Sequence, residues 1–363
     1  MKKVISIMLV IVMALSLVAC GNQAAAPQPT SSATTTPGAS GPETSAPTDN
    51  EDKGVIKVAL STFSLAIPWQ IQTIDTLKKA VESYNGKVEL TVANADNNTA
   101  NQITQIENFI DQKVDILLVD ASSSTGLNPT LKRAKEAGIV VVNYNCIVTD
   151  PDCVNARVFV DQTEWGRVMA RFIVDSLGGQ GNVVCLTGLS GNQIAADRWT
   201  GAQEVFAANP GINILATAPA EWEQSLAEEK MQAWIAAFPD KIDAVWADGG
   251  PCAVGVINVL EKNRLKMVPV AGEASFGFVN KWYSQIDNGL SGCGPVCPVY
   301  IGAVALEAAM RILNGENIPT DIALDIPVMT NDNIAEWADP SRSDEEFAFD
   351  RITPEEIAAI FDK

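Results

Sequence analysis

The 363-residue chain contains no histidine. That absence removes Ser-His-Asp and Cys-His catalysis, the commonest metal ligand and the usual general base near neutral pH. No Ser-x-x-Lys, Gly-x-Ser-x-Gly or Gly-x-Gly-x-x-Gly pattern occurs either, so the familiar acyl-transfer nucleophiles and dinucleotide cradles are missing. Positive charge is scarce: 25 Lys and Arg face 44 Asp and Glu, a formal net charge of −19. A chain this acidic is repelled by nucleic acid and by anionic lipid headgroups. Long hydrophobic runs are scarcer still. One apolar run, Val4 to Leu15, stands near the N-terminus, and no later run reaches the length of a membrane span. Of enzymatic chemistry, only a carboxylate pair of the glycosidase kind is left, with no further motif behind it.

Lys2-Lys3, that apolar run and Ser16-Leu17-Val18-Ala19-Cys20-Gly21 resemble a bacterial lipoprotein signal. The resemblance implies loss of residues 1–19, a diacylglycerol on the Cys20 thiol, and work outside the cytoplasm on a membrane surface. At about 0.8 kcal/mol per buried methylene, two or more acyl chains hold a protein there durably. The plainer reading is an ordinary secretory signal with a chance cysteine at the cut. Residues 20–53 are mostly Ala, Pro, Thr, Ser, Gln and Gly, without an aromatic. They bury too little apolar surface to offset the entropy of ordering and read as a flexible tether. About 310 residues remain from Gly54 onward, natural for two lobes of about 150.

Beyond Cys20 there are six cysteines, Cys146, Cys153, Cys185, Cys252, Cys293 and Cys297, an even number in a compartment that permits disulfides. Six allow 15 pairings, so connectivity is not legible. A Cys146 to Cys153 link closing a Pro-Asp loop is the best single expectation, whereas Cys185, inside the apolar run Val183 to Leu186, reads as a buried thiol. The spacing does not suit a zinc knuckle. Neither metal nor cofactor is expected.

From Val55 the pattern alternates short β-branched runs with helical stretches. Strands are expected at 55–60, 88–92, 114–119 and 139–142, with helices over 67–84, 99–112 and 129–137 between them. The alternation restarts with strands at 157–160, 182–186, 212–216, 244–247 and 267–270 and helices over 165–177, 193–208, 225–238 and 253–263. Phe276 to Asp287, Val299 to Asn314 and the acidic tail read as helical. Runs such as Ile139-Val140-Val141-Val142 are apolar on both faces, the mark of a parallel sheet covered on both sides. The expected fold is therefore α/β, two doubly wound parallel-sheet lobes in series with a cleft between them.

The loops after the strands are rich in carboxylates, amides and tryptophan, among them Ile67-Pro68-Trp69, Asp120-Ala121-Ser122, Asn143-Tyr144-Asn145-Cys146, Glu221-Trp222, Asp248-Gly249-Gly250 and Gly272-Glu273. This is polyol chemistry. Carboxylates and amides pair with vicinal hydroxyls, and flat indoles cover the C–H faces of a ring. The order and spacing of Ala93-Asn94-Ala95-Asp96-Asn97, Gln112 to Leu118, Glu136 to Val141 and Ala196-Asp197-Arg198-Trp199-Thr200-Gly201 resemble the ribose and galactose type of periplasmic sugar-binding protein, a partner of ABC importers, over nearly all of the chain past the tether. The resemblance implies a type I binding-protein fold with three crossings between lobes, near Val160 to Asp161, Pro295 to Pro298 and Asp325 to Pro327. It divides the chain into a first lobe of 54–160 plus 298–325 and a second of 161–297 plus 326–363. The Gly292 to Pro298 segment then falls at the middle crossing, as a hinge or as an ordinary loop.

By the same resemblance the cleft residues fall on Trp69, Asp120, Asn145, Arg198, Trp222, Asp248 and Glu273. Departures stand out: Asn145 and Cys146 occupy the places of an acid and, in many members, an arginine, and Gly249 occupies that of an asparagine. The fold and transport role therefore carry over better than ribose or galactose specificity. Each residue also has a plainer reading. Trp69 would suit a helix-start core, Trp222 an exposed loop, Arg198 a salt bridge to Asp197 or Glu204, and Asp120 and Glu273 helix caps. The expectation is a monomeric, lipid-anchored, extracytoplasmic receptor for a small polar solute, a monosaccharide or its derivative, that docks on an ABC permease. A sensory receptor for a membrane kinase or chemoreceptor needs the same cleft, and the acids near it leave room for an amino sugar, a nucleoside or another partly cationic solute.

Overall fold

In the computed structural model, which describes residues 54–362, the strands form where β-branched runs are bounded by turn residues. The chain first lays down β1 (Ile56–Thr62), α1 (Pro68–Glu82), β2 (Val88–Asn94), α2 (Thr99–Asp111), β3 (Ile116–Asp120), α3 (Asn128–Glu136), β4 (Val140–Tyr144) and β5 (Ala156–Val160). It then repeats the pattern with α4 (Gln162–Ser176), β6 (Gly181–Thr187), α5 (Gln193–Ala208), β7 (Ile212–Pro219), α6 (Gln224–Ala237), β8 (Ala244–Ala247), α7 (Gly250–Lys262), β9 (Val270–Ala271), α8 (Phe276–Gln285) and β10 (Gly292–Pro295). Four more elements follow: α9 (Ile301–Leu313), β11 (Asp321–Leu324), β12 (Val328–Thr330) and α10 (Pro354–Ile360). The signal at 1–19, the tether at 20–53 and the lipidation site Cys20 lie outside the described residues.

One sheet runs β2-β1-β3-β4-β5-β11 and the other β7-β6-β8-β9-β10-β12. The first five strands of each follow the same winding, so the lobes are two copies of one topology. Every pairing is parallel except β12 against β10. Strands β3 and β4 are buried at all five positions, as a sheet covered on both faces requires. Side chains cap several of the helices that leave the strand ends: Asn98 caps α2, Asp161 α4, Asn192 α5 and Ser275 α8. Each such cap contributes about 1 kcal/mol and fixes the loop before it.

The segment after α9 departs from the helical expectation. Asp321-Ile322-Ala323-Leu324 alternates exposed and buried, a period of two that makes a strand. It extends the first sheet beside β5, where Arg157 Nε and Nη2 donate to Asp321 at 2.7 Å each. Only Pro354–Ile360 of the tail forms an α-helix, through a capping box at Thr353 and Glu356. Strand β9 is shorter than expected, and Gly292–Pro295, rather than an ordinary loop, is a strand between β9 and β12 that leads into the middle crossing. Residues of the tail also lie along 274–277, with Phe276 N donating to Glu346 O at 2.7 Å and Ala348 N to Ala274 O at 3.0 Å. From there Phe347 exchanges two backbone hydrogen bonds with the side chain of Gln72 on α1, tying the tail to the first lobe.

The chain passes from one sheet to the other after β5, after β10 and after β11; α9, which follows the middle passage, packs on α1, β4 and β5. The expected Cys146 to Cys153 link is not formed. All six described cysteines carry free thiols, because Cys146 turns toward Asn145 beside Asp120, while Cys153 Sγ lies 3.0 Å from Asp150 O.

Candidate functional site

The carboxyl ends of the two sheets face a shared cavity of about 640 Å³, where an open parallel sheet collects ligands. Other hollows, of about 780 and 730 Å³, lie along the tail, the first against α1 and α9 and the second against residues 336–339. They sit away from the strand ends, and of the two arginines that line both, Arg342 is paired with Glu346 and Asp350 and Arg351 lies 4.0 Å from Asp350.

On the first-lobe wall, Pro68 starts α1 and places Trp69 and Gln70 at its first turn. Trp69 Nε1 donates to Cys297 O at 2.8 Å, so this indole is tied to the middle crossing. Asp120 ends β3, fully buried. Its carboxylate accepts from Gln70 Nε2 at 2.5 Å, Asn145 Nδ2 at 3.0 Å and Cys146 N at 3.2 Å. Among the described residues no cation pairs with it. Burial is the largest influence and pushes its pKa up to about 6, against the lowering effect of these donors. Asn145 follows β4 with φ at 60°, a left-handed conformation that asparagine tolerates well.

On the second-lobe wall, the same topological place is held by an ion cluster. Asp248 directly follows β8 and is fully buried. Arg198 on α5 donates through Nη1 to Asp248 Oδ1 at 2.8 Å and to Glu273 Oε2 at 3.2 Å, and through Nε to Gln162 Oε1 at 2.8 Å. Its guanidinium lies 3.7 Å over the Trp165 ring, a desolvated cation–π contact of about 2 kcal/mol. The close crossing of α4 and α5 makes this possible, since a Cβ on Gly166 would lie 1.9 Å from Arg198 O. Burial raises the pKa of both carboxylates, with Arg198 opposing it, while the two carboxylates outweigh burial and hold Arg198 charged. Glu273 also accepts from Cys297 N at 3.3 Å. Burial pushes the Cys297 thiol up to about 12 and the Cys146 thiol up as well, so neither is a nucleophile.

Trp222 overhangs this wall from the turn after β7, with φ at 59°, strained for so bulky a residue. Its neighbour Glu221 holds the turn by accepting from Ser190 N at 3.0 Å and Ser190 Oγ at 2.5 Å. Gly249 has φ at 111°, and a Cβ there would come within 2.8 Å of Trp222 Cδ1. The indole thus occupies space that an asparagine at 249 would need.

All seven expected residues converge on this cleft. Trp69, Asn145, Arg198, Trp222 and Glu273 line the cavity; Asp120 and Asp248 stand directly behind Gln70, Asn145 and Arg198. Arg198 bonds neither Asp197 nor Glu204; Gln193 and Arg167 hold those acids instead. The expected ligand residues did not include Gln70, Gln162, Cys297 and the tail residues Asp344, Glu345 and Phe347. Gln70 stood beside an expected loop residue and Gln162 within the loop Asp161-Gln162 after a strand, whereas nothing in the pattern marked the tail. Three buried side-chain atoms at the cleft have no close hydrogen-bond partner: Gln70 Oε1, and Trp222 Nε1 and Asp248 Oδ2, which face each other, Trp222 opposing the burial that raises the Asp248 pKa. An orphan such as Gln70 Oε1 is rare and asks for a partner.

The model of the periplasmic binding protein domain matches residues 58–317. The xylitol-binding protein of Mycolicibacterium smegmatis is 29% identical over 300 residues, 80% of each chain. The ribose import binding protein of Salmonella typhimurium is 26% identical over 274 residues, 75% of this chain and 90% of its own. Among solved structures, the periplasmic binding protein component of the arabinose ABC transporter from Shewanella sp. ANA-3, bound to L-arabinofuranose, superposes with a TM-score of 0.70 at 23% identity. That match covers 78% of this chain and 94% of the other, and supports the fold.

Proposed function

The chain belongs to the periplasmic binding protein domain family, and from that premise we propose that it is the extracytoplasmic receptor of an ABC-type importer for a small sugar or polyol. One observation carries the reading: a cavity between two lobes, faced by Trp69 and Trp222, in which the buried amide of Gln70 waits with an orphaned oxygen. A polyol supplies a hydroxyl for Gln70 and C–H faces for the indoles. Arg198, Asn145 and Glu273 complete the polar contacts, and Asp120 holds Gln70 and Asn145 in position. Relatives named for xylitol and ribose support the solute class.

The two lobes, 54–160 with 298–325 and 161–297 with 326–363, move as bodies about the three crossings. A solute favours the closed form only through contacts made to both at once. The cleft binds and releases; it transforms nothing. The lipoprotein-like signal supports anchoring through Cys20 and a monomer that reaches a permease on its tether.

A thermal-melt and tryptophan-fluorescence screen against pentoses, hexoses and acyclic polyols tests the reading. A member of the panel raises the melting temperature and changes the emission of Trp69 and Trp222; a panel that leaves both unchanged overturns it.

A further inference from the structure

Resting on the polyol reading, the charge of the cleft narrows the solute. The cavity is lined by five acids, Glu223, Glu228, Glu273, Asp344 and Glu345, and by one cation, Arg198. No lysine joins them, and Arg198 is already committed to two carboxylates, Asp248 and Glu273. The lining thus carries one positive against five negative side chains, before Asp120 and Asp248 behind it are counted. Amides of Gln224 and Asn258 both donate to Glu228, which keeps that carboxyl ionised and fixed at the wall.

A second observation points the same way. Gln70 is 1% exposed and lines the cavity, and its Oε1 has no partner. Its Nε2 is spent on Asp120, so the oxygen is the atom left to meet a ligand. That oxygen asks for a donor. Indoles at Trp69 and Trp222 add ring faces, which attract a cation as well as C–H groups. Concave acidic walls of low dielectric also concentrate cations from solution. A neutral sugar leaves most of this field unanswered.

We propose that the solute is a polyol bearing an ammonium group, an amino sugar or amino-polyol, with the ammonium held among the acids of the cavity. The tail contributes to this choice, since Asp344 and Glu345 reach the cavity from beyond the matched family region, which ends at 317.

Calorimetry with matched pairs tests the idea: glucose with glucosamine, galactose with galactosamine, and a hexitol with its 1-amino-1-deoxy analogue. In at least one pair the ammonium member binds about tenfold tighter or better, as a charge-assisted contact in place of a neutral one implies. Raising the salt concentration narrows the gap. The D344N/E345Q double variant, altered at exposed rim positions, keeps its melting temperature and loses several-fold of the ammonium preference. Neutral members binding equally well or better overturn the charge assignment and leave the polyol reading standing. Binding of a plain diamine such as putrescine without any polyol upholds the charge and overturns the polyol; silence from every pair and from the diamine overturns both.

Discussion

The two walls of the cleft stand on the same scaffold and solve one problem differently. Asp120 ends β3 and Asp248 directly follows β8, strands with the same place in their sheets. Each is fully buried and held by a side chain from the helix that follows the first strand of its sheet. In the first lobe that side chain is Gln70, an amide; in the second it is Arg198, a guanidinium. Neutral donors leave Asp120 with its pKa pushed up to about 6, whereas Arg198 adds a full charge and, through it, recruits Glu273. Duplicated topology therefore fixes where a carboxylate stands, and the partner chosen for it decides whether that wall is switchable or permanently ionic.

Converting one wall to the chemistry of the other breaks the contrast most strongly. Arg198→Gln leaves Asp248 and Glu273 buried without their cation, and a denaturant melt shows a loss of about 3–5 kcal/mol. A loss below about 1 kcal/mol shows that an amide serves both walls equally. The next effect is one of pH. Between 3.8 and about 6 the folded Asp120 binds protons that the unfolded one releases. Its contribution to stability therefore falls as pH rises through that window, by roughly 3 kcal/mol, and is flat above it. Melts of wild type and Asp120→Asn from pH 4 to 7 check this: the wild type loses ground against the variant with rising pH, and parallel curves refute it. Smaller again, Gln70→Met removes one donor from a buried carboxylate at a cost of about 1–3 kcal/mol. It also moves the Asp120 titration upward, seen as a displaced pH window in the same melts.

Most of the fold was legible because its signals are local. Runs such as Val140 to Tyr144, apolar on both faces, and the turn residues between them mark the strands and helices of the two lobes up to β9. The cleft residues emerged from order and spacing, since strand ends in a wound sheet carry the loops that meet a ligand. What stayed hidden depends on contacts distant in sequence. Strand β11 is four residues held by Arg157, a partner 164 positions away, and its period-two alternation is too short to stand out. The tail at 344–348 is held in place by hydrogen bonds to 274–277, which no local pattern encodes. The expected Cys146 to Cys153 link fails for a related reason: Cys146 N donates to Asp120, a neighbour only in three dimensions.

The passage of β11 back into the first sheet also sets an order of events during synthesis. An edge strand and a covering helix, α9, that belong with β4 and β5 are made only after the whole of the second sheet but β12. The earlier lobe must wait with one flank uncovered, so a chain emerging from its N-terminus completes both lobes together near the end. Contacts of such long sequence separation close slowly, and the exposed edge of β5 is then the place where pairing with a second unfinished chain competes with folding.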